Sequence, residues 1–323
     1  MRVLVAGMGS AIGTAVARRL ESDPSVDAIE GFDLEPPRRW LRRAEFHFAR
    51  PGDGERVTRI VTEFEPTVVV HAWVFEPRAR SSPGQARART VAGTESLLGA
   101  LSKVDTVEHL AVRSGVSVYG SRRRQGTRPT VETALRPTST FGKMLARVEQ
   151  RCIEAASQLN ATVAPVRLGA VMAANLPNPL GRYLRLPVMA VPITTRRFAV
   201  VHLDDAGAGI AAAATRRHVG PLNVIATGSV TPLEAVTLGA RLPLPVLPIA
   251  LRLGRGLTDL VGAPLPEHVV ELLVHGQVVE PSDLTGLETS LQWSTADTIR
   301  DLYRVGRLVD VEVDRSASSI GGV

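Results

Sequence analysis

Cysteine, lysine and aromatic residues are scarce in this chain of 323 residues, and each scarcity narrows what it can be. Cys152 is the only cysteine, which excludes an internal disulfide, and no basic stretch followed by an apolar one opens the chain; a reducing cytoplasm is the expected setting. Long apolar runs are missing as well. The longest candidate, residues 242–253, is interrupted by prolines and reads as a connection between lobes, so no transmembrane segment is expected. Lys103 and Lys143 are the only lysines among 38 basic residues, and the arginines behind the formal net charge of +6 are scattered. Neutralising phosphates requires basic groups gathered on one face, so nucleic acid is not an expected partner. Local clusters at Arg38, Arg39, Arg42 and Arg43 and at Arg122 to Arg124 read as solvated faces. No group of residues reads as a metal site. What the chain does have is 44% apolar residues, enough for a substantial core.

Those apolar residues alternate between two periods. Residues 2–6 form a short apolar run closed by Gly7, and Ile12, Val16 and Leu20 then recur at helical spacing, which predicts strand, tight turn and helix. A second strand is expected to end at Asp33, a helix to carry Val57, Ile60, Val61 and Phe64, a buried strand to span 67–74, and a helix to carry Val91, Leu98 and Leu101. Strands at 107–112 and 161–168 flank a helix predicted from about Ser139 to Leu159. Repeated strand–helix units with apolar strands predict an α/β fold, a doubly wound parallel sheet covered by helices on both faces. The regularity fails after Leu168, returns over 196–215, and ends with a last strand at 221–226; a final helix opens with the capping pattern Ser294-x-x-Asp297. The expected division is a nucleotide-binding domain of 1–168 and 198–226, a smaller lobe of 169–197 and 227–313, and a disordered tail of 314–323.

The turn between the first strand and helix reads Gly7-Met8-Gly9-Ser10-Ala11-Ile12-Gly13. A dinucleotide turn needs glycines because the backbone must turn sharply, approach a pyrophosphate and start a helix close to the strand. Against G-x-G-x-x-G, Gly7 and Gly9 fit while Ile12 stands at the third glycine; against G-x-x-G-x-x-G, Gly7 and Gly13 fit while Ser10 stands at the middle one. Asp33 follows Gly13 by 20 residues, where a carboxylate can take both ribose hydroxyls of an adenosine and repel a 2′-phosphate. Gly7, Gly9, Ser10, Ala11, Ile12, Gly13, Asp33, His71 and Ala72 are therefore the candidate cofactor contacts, with NAD preferred over NADP despite Arg38 and Arg39 nearby. A bare structural strand–turn–helix fits the same residues, so the motif alone leaves both readings open.

Several further segments carry a resemblance. Residues 67–74 (TVVVHAWV) resemble D-V-V-x-H-L-A-A, residues 90–101 (TVAGTESLLGAL) resemble N-V-x-G-T-x-x-L-L, and 117–120 (SVYG) resemble the S-x-x-V-Y-G strand end. Residues 137–149 (PTSTFGKMLARVE) are similar to P-x-S-x-Y-G-x-S-K-x-x-x-E, and 197–205 (RFAVVHLDD) to Q-F-V-H-V-D-D. These motifs belong to the extended short-chain dehydrogenase/reductases, in the NAD-dependent epimerase/dehydratase branch that acts on sugar nucleotides; with 178–188 they resemble an actinobacterial epimerase-like subgroup. The resemblance implies a Rossmann-type sheet, NAD as cofactor, a nucleotide-sugar ligand in the smaller lobe, and a homodimer through the helices near 90–101 and 139–158.

The catalytic motif that the resemblance implies is degenerate here. In the family a tyrosine and a lysine four residues later share one helix face, so that the ammonium lowers the phenol's pKa while the phenolate exchanges a substrate proton. The aligned positions hold Phe141 and Leu145; the Ser/Thr that bonds the reacting hydroxyl falls on Gly115, the helix Asn on Thr90, the substrate-contacting Asn on Ala170, and the adenine-contacting acid on Arg50. Ser114, Ser117 and His71 are the candidate substitutes; Lys143 points to another helix face and Tyr119 reads as structural. Phe141, Leu145, Val148 and Cys152 follow i, i+4, i+7, i+11 spacing, so the reactive positions extend an apolar stripe. Arg182, Arg185, Arg196 and Arg197 are the candidate contacts to a substrate diphosphate. The expected function is an NAD-binding protein of the epimerase/dehydratase type impaired or inactive in the family reaction, a sensor, scaffold or partner; the alternative is an active enzyme with non-standard catalytic groups.

Overall fold

The computed structural model describes residues 1–77, 81–121, 128–174, 176–253 and 265–304. The arginines at 122–124 and the tail at 314–323 lie outside the described residues. Seven parallel strands form the main sheet: β1 (Arg2–Ala6), β2 (Ala28–Asp33), β3 (Ala44–Phe48), β4 (Val68–His71), β5 (His109–Gly115), β6 (Thr162–Leu168) and β10 (Leu222–Val224). Their order across the sheet is β10-β6-β5-β4-β1-β2-β3, so the chain reverses its direction of travel between β1 and β4. In open sheets of this kind ligands bind beyond the strand ends at that reversal.

Helices cover both faces, as the alternation predicts. On one side, α1 (Ala11–Glu21) and α6 (Leu203–Thr215) bury Ile12, Val16, Leu20 and Ile210 against Val3, Val5, Val68, Val70 and Ala111. On the other, α2 (Gly54–Phe64), α3 (Pro83–Leu101) and α4 (Thr140–Gln158) bury Val57, Phe64, Leu97, Val148 and Cys152 against Leu4, Val69, Leu110 and Val112. Neighbouring residues of one strand thus belong to opposite cores, as period-two side-chain alternation requires. Gly207 of α6 sits so close to α1 that a Cβ there would lie 2.8 Å from Ala15 Cβ. That contact explains the run of glycine and alanine in α6.

A separate apolar cluster joins Met172 at the end of β7 (Ala170–Met172), Tyr183 and Leu184 of α5 (Pro179–Leu184), Met189 and Val191 of β8 (Val188–Pro192), Val200 of β9 (Val200–His202) and Val236 of α7 (Pro232–Thr237). Leu273 of α9 (Glu267–His275) and Ile299 of α10 (Thr295–Leu302) complete it. Leu284 and Leu287 instead pack into the core beneath α6.

Four segments differ from the sequence-based expectation. β3 was not anticipated: it is a half-exposed edge strand, with Phe48 62% exposed, so its apolar residues do not alternate cleanly. The strand expected over 67–74 stops at His71, where Gly7 presses on the backbone of Ala72. Residues 116–119 form a 3-10 turn in place of a strand end. Residues 242–253, expected as a connection, contain β11 (Leu242–Val246), paired with β8, and α8 (Pro248–Leu253). Pro243 and Pro245 stand two apart, on one edge of this strand, where missing N–H groups leave a two-stranded ladder intact.

Candidate functional site

The first wall of the cleft is built by the glycine turn. Gly7 has φ +88°, and a Cβ there would lie 2.7 Å from the Ala72 carbonyl carbon; only glycine takes that backbone conformation without strain. A Cβ at Gly13 would lie 2.0 Å from Gly7 O, so Gly13 is the glycine that lets the helix start against the strand. The G-x-x-G-x-x-G register is therefore the one the backbone follows, with Ser10 at the middle position. Ser10 Oγ accepts from Gly13 N at 2.9 Å and donates to Gly7 O at 2.8 Å, which turns the hydroxyl inward as the N-cap of α1. Ala11 and Ile12, in the first helical turn with N–H groups that have no intrahelical partner, line the cleft beside Gly9 and Ser10.

Asp33 closes β2 behind this turn. It is 5% exposed, and its carboxylate accepts from Ser10 N at 3.0 Å, Leu34 N at 2.7 Å and Trp73 Nε1 at 3.0 Å. Burial pushes its pKa above the ordinary aspartate value while the three donors pull the other way. Trp73 was missed in the sequence, although its indole stands where the resembling motif carries alanine.

The second wall carries the degenerate motif. Gly115, Phe141 and Leu145 line the cleft with Ala72 and Ala170. A Cβ at Gly115 would lie 3.1 Å from Leu145 Cδ1, so the leucine fills the volume that a hydroxyl and an ammonium would need. Leu145 is buried within a cluster that includes Val74, Val116, Met144 and Phe141. Lys143 is exposed and turned away.

Of the substitutes, Ser114 borders the cleft, but its Oγ is committed, donating to Glu149 Oε1 at 2.5 Å. His71 is fully buried, its Nε2 2.9 Å from Thr94 Oγ1, and burial followed by the Arg113 charge lowers its pKa to about 4. It does not line the cleft. Ser117 does, and its Oγ is buried without a hydrogen-bond partner among the described residues. Thr90 accepts from Phe75 N at 2.9 Å and donates to Ala86 O at 2.9 Å, so it holds the loop after β4.

None of the four expected diphosphate arginines lines the cleft. Arg185 donates to the Leu302 carbonyl at 3.1 Å and to those of Ala173 and Ala174, fixing α10 on the lobe. Arg197 pairs with Glu234 at 2.7 Å, Arg182 is exposed, and Arg196 is half-buried outside the site; Arg50 is exposed at a distance from it as well. The ionisable residues that do line the cleft are Glu35, Arg38, Glu76, Arg89, Arg113 and His268. His268 comes from α9: its ring lies 4.6 Å from that of Phe141, and its Nε2 is 2.9 Å from Glu76 Oε1. Sequence reasoning missed this pair because 192 residues separate its members. The cleft encloses about 240 Å³. Among the described residues no group of His, Cys, Asp and Glu could hold a metal ion, and no helix is long and apolar enough to cross a membrane.

Comparison with known proteins yields a family match and many structural neighbours. A sequence model described as "NAD dependent epimerase/dehydratase family" matches residues 3–218. An uncharacterized protein of Mycobacterium tuberculosis is 24% identical over 322 residues, covering 94% of this chain and 83% of its own. The structure of Thermus thermophilus UDP-glucose 4-epimerase in complex with NAD superposes with a TM-score of 0.73 at 20% identity, over 94% of this chain and 98% of that one. Bifidobacterium longum UDP-glucose 4-epimerase in complex with NAD+ and UDP gives 0.73 at 15% identity, over 94% and 97%. Bacillus anthracis dTDP-glucose 4,6-dehydratase in complex with NAD gives 0.70 at 16% identity, over 94% and 95%.

Proposed function

Since this chain belongs to the NAD dependent epimerase/dehydratase family, we propose that it binds NAD across the β1–β4 reversal, holds a nucleotide sugar in the same cleft, and no longer performs the family's proton exchange. One observation carries the last clause: Gly115, Phe141 and Leu145 meet on a single wall of the cleft, and none of them exchanges a proton. Loss of a positioned general base removes about 10²- to 10⁴-fold in rate. Loss of its orienting partners as well leaves binding as the remaining function, suited to a sensor, a scaffold or the partner of another enzyme.

NAD is preferred over NADP in this reading because the Asp33 carboxylate stands at the end of β2. Calorimetric titration tests it: NAD binds, NADP binds about tenfold more weakly or less, and UDP-glucose and dTDP-glucose are not turned over. Steady turnover of either sugar nucleotide by the pure protein would overturn the proposal. The reading also has the chain pair through α3 and α4; sedimentation at micromolar concentration would show a dimer, and a monomer would remove that part alone.

A second reading, an active enzyme with non-standard groups, has one observation in its favour. The His268 ring of the Glu76–His268 pair lies tilted against Phe141, and a histidine held by a carboxylate is a competent acid–base element. The double change Phe141→Tyr with Leu145→Lys separates the two readings. It harms an activity that depends on the present groups and leaves NAD binding intact if there is none to harm.

A further inference from the structure

Among the described residues, Arg113 is the one charged group of the cleft that comes from the sheet itself, and it faces the vacated catalytic position. Along β5, Leu110 and Val112 pack toward α3 and α4, Ser114 bonds to Glu149 of α4, and Ala111 packs on the other side. Period-two alternation therefore places Arg113 and Gly115 on the same face, the one that opens into the cleft.

A guanidinium has five donors. Arg113 uses one, Nη1 to Val74 O at 2.9 Å, and among the described residues no carboxylate lies within 4.0 Å of it. Burial pulls its pKa below the ordinary arginine value, and Glu76 offsets this from beyond ion-pair distance. Glu76 is itself engaged by His268. Nearby His71 is neutral near pH 7 and adds no negative charge. A half-buried cation that uses one of its donors and has no carboxylate within ion-pair distance gains when an anion enters the cleft beside it. Two hydroxyls of the same cleft, Ser81 Oγ and Ser117 Oγ, are buried and also lack partners among the described residues.

We propose that Arg113 forms a subsite for a carboxylate carried on the sugar of the nucleotide ligand. This rests on the nucleotide-sugar reading above. The guanidinium fork matches the two oxygens of a carboxylate. A single negative charge balances Arg113.

Two probes that differ only by a carboxylate in place of a hydroxymethyl group, UDP-glucuronate and UDP-glucose, test the subsite by calorimetry in the presence of NAD. UDP-glucuronate is expected to bind about tenfold tighter or more, and Arg113→Met to bring it down to the affinity of UDP-glucose. Equal affinities in the wild type overturn the proposal, as does a preference that survives Arg113→Met. Should neither nucleotide bind, the nucleotide-sugar reading fails, and free glucuronate against glucose decides the subsite alone. In that arm, a rise in Tm with millimolar glucuronate in the wild type but not in Arg113→Met supports it, and no rise overturns it. The ligand-free Tm of Arg113→Met is expected to equal or exceed that of the wild type, because an unpaired charge is removed. If that variant fails to fold, Arg113→Gln takes its place with the same expected loss of preference.

Discussion

Glu149 anchors a buried polar chain from a position with 1% exposure. Its carboxylate takes Arg167 Nη2 at 2.9 Å and Ser114 Oγ, while Arg167 Nη1 donates to Tyr119 OH at 2.7 Å and Tyr119 OH to Asn223 at 2.8 Å. The chain from α4 through β5 and β6 to β10 runs behind the wall that carries Gly115. Glu149→Gln leaves Arg167 buried without a counter-charge and is expected to destabilise the fold by about 3–5 kcal/mol, measured by urea unfolding. Trp73→Phe removes one of three donors to the buried Asp33 carboxylate and is expected to lower stability by about 1–3 kcal/mol in the same measurement. Residues such as Gly7, Gly13, Phe141 and Leu145 were legible in the sequence because a turn and a helix fix their neighbours in space. Arg113, Glu76 and His268 were not: a lone charge in a strand, a loop and a distant helix carries no periodic signal until the fold brings the three together.

At the scale of elements, the strand–helix alternation was readable because buried parallel strands are almost wholly apolar and their helices are amphipathic. The edge strand β3 and the proline-bearing β11 escaped it, since both are paired on one side and half exposed. The first turn of α1 offers a measurement at this scale. Ser10→Ala removes the oxygen that accepts from Gly13 N and is expected to lower stability by about 1 kcal/mol, while Ser10→Gly changes it by only a few tenths. A larger loss in affinity for NAD than in stability with Ser10→Ala would give the hydroxyl a ligand role beyond capping. α9 joins the smaller apolar cluster to the cleft wall: Glu267 accepts from Thr140 N at 2.9 Å, Glu271 accepts from Thr138 Oγ1 at 2.9 Å, and His268 reaches Glu76. Glu267 and Glu271 dock the smaller cluster on the start of α4 and the residues just before it, while His268 ties it to the loop after β4, beside Phe141.

For the molecule as a whole, two buried imidazoles set the acid limit. His71 and His109 are both held down to about 4 from 6.5, chiefly by burial. Their folded-state pKa values lie below the unfolded ones, so the stability they contribute is complete above pH 6.5 and is lost as pH falls toward 4. Each contributes up to about 1.4 kcal/mol per pH unit inside that window. Unfolding free energy measured from about pH 7 to 4 is expected to fall accordingly, and His109→Gln to flatten the slope by one imidazole; an unchanged slope would contradict the assignment.

The single thiol has a practical corollary. Cys152 is 0% exposed in the core between α4 and the sheet, and burial raises its pKa to about 12. A thiolate that neither forms nor meets solvent in the native state cannot be alkylated there, so the wild-type chain already behaves as an unlabelled background. An aromatic disulfide reagent is expected to report no reactive sulfur on the folded protein and one after denaturation. Labels attached to one cysteine engineered on α9 and one on the exposed face of α4 would then record the separation of the two helices without interference, and the slow appearance of the native sulfur would time global opening of the chain.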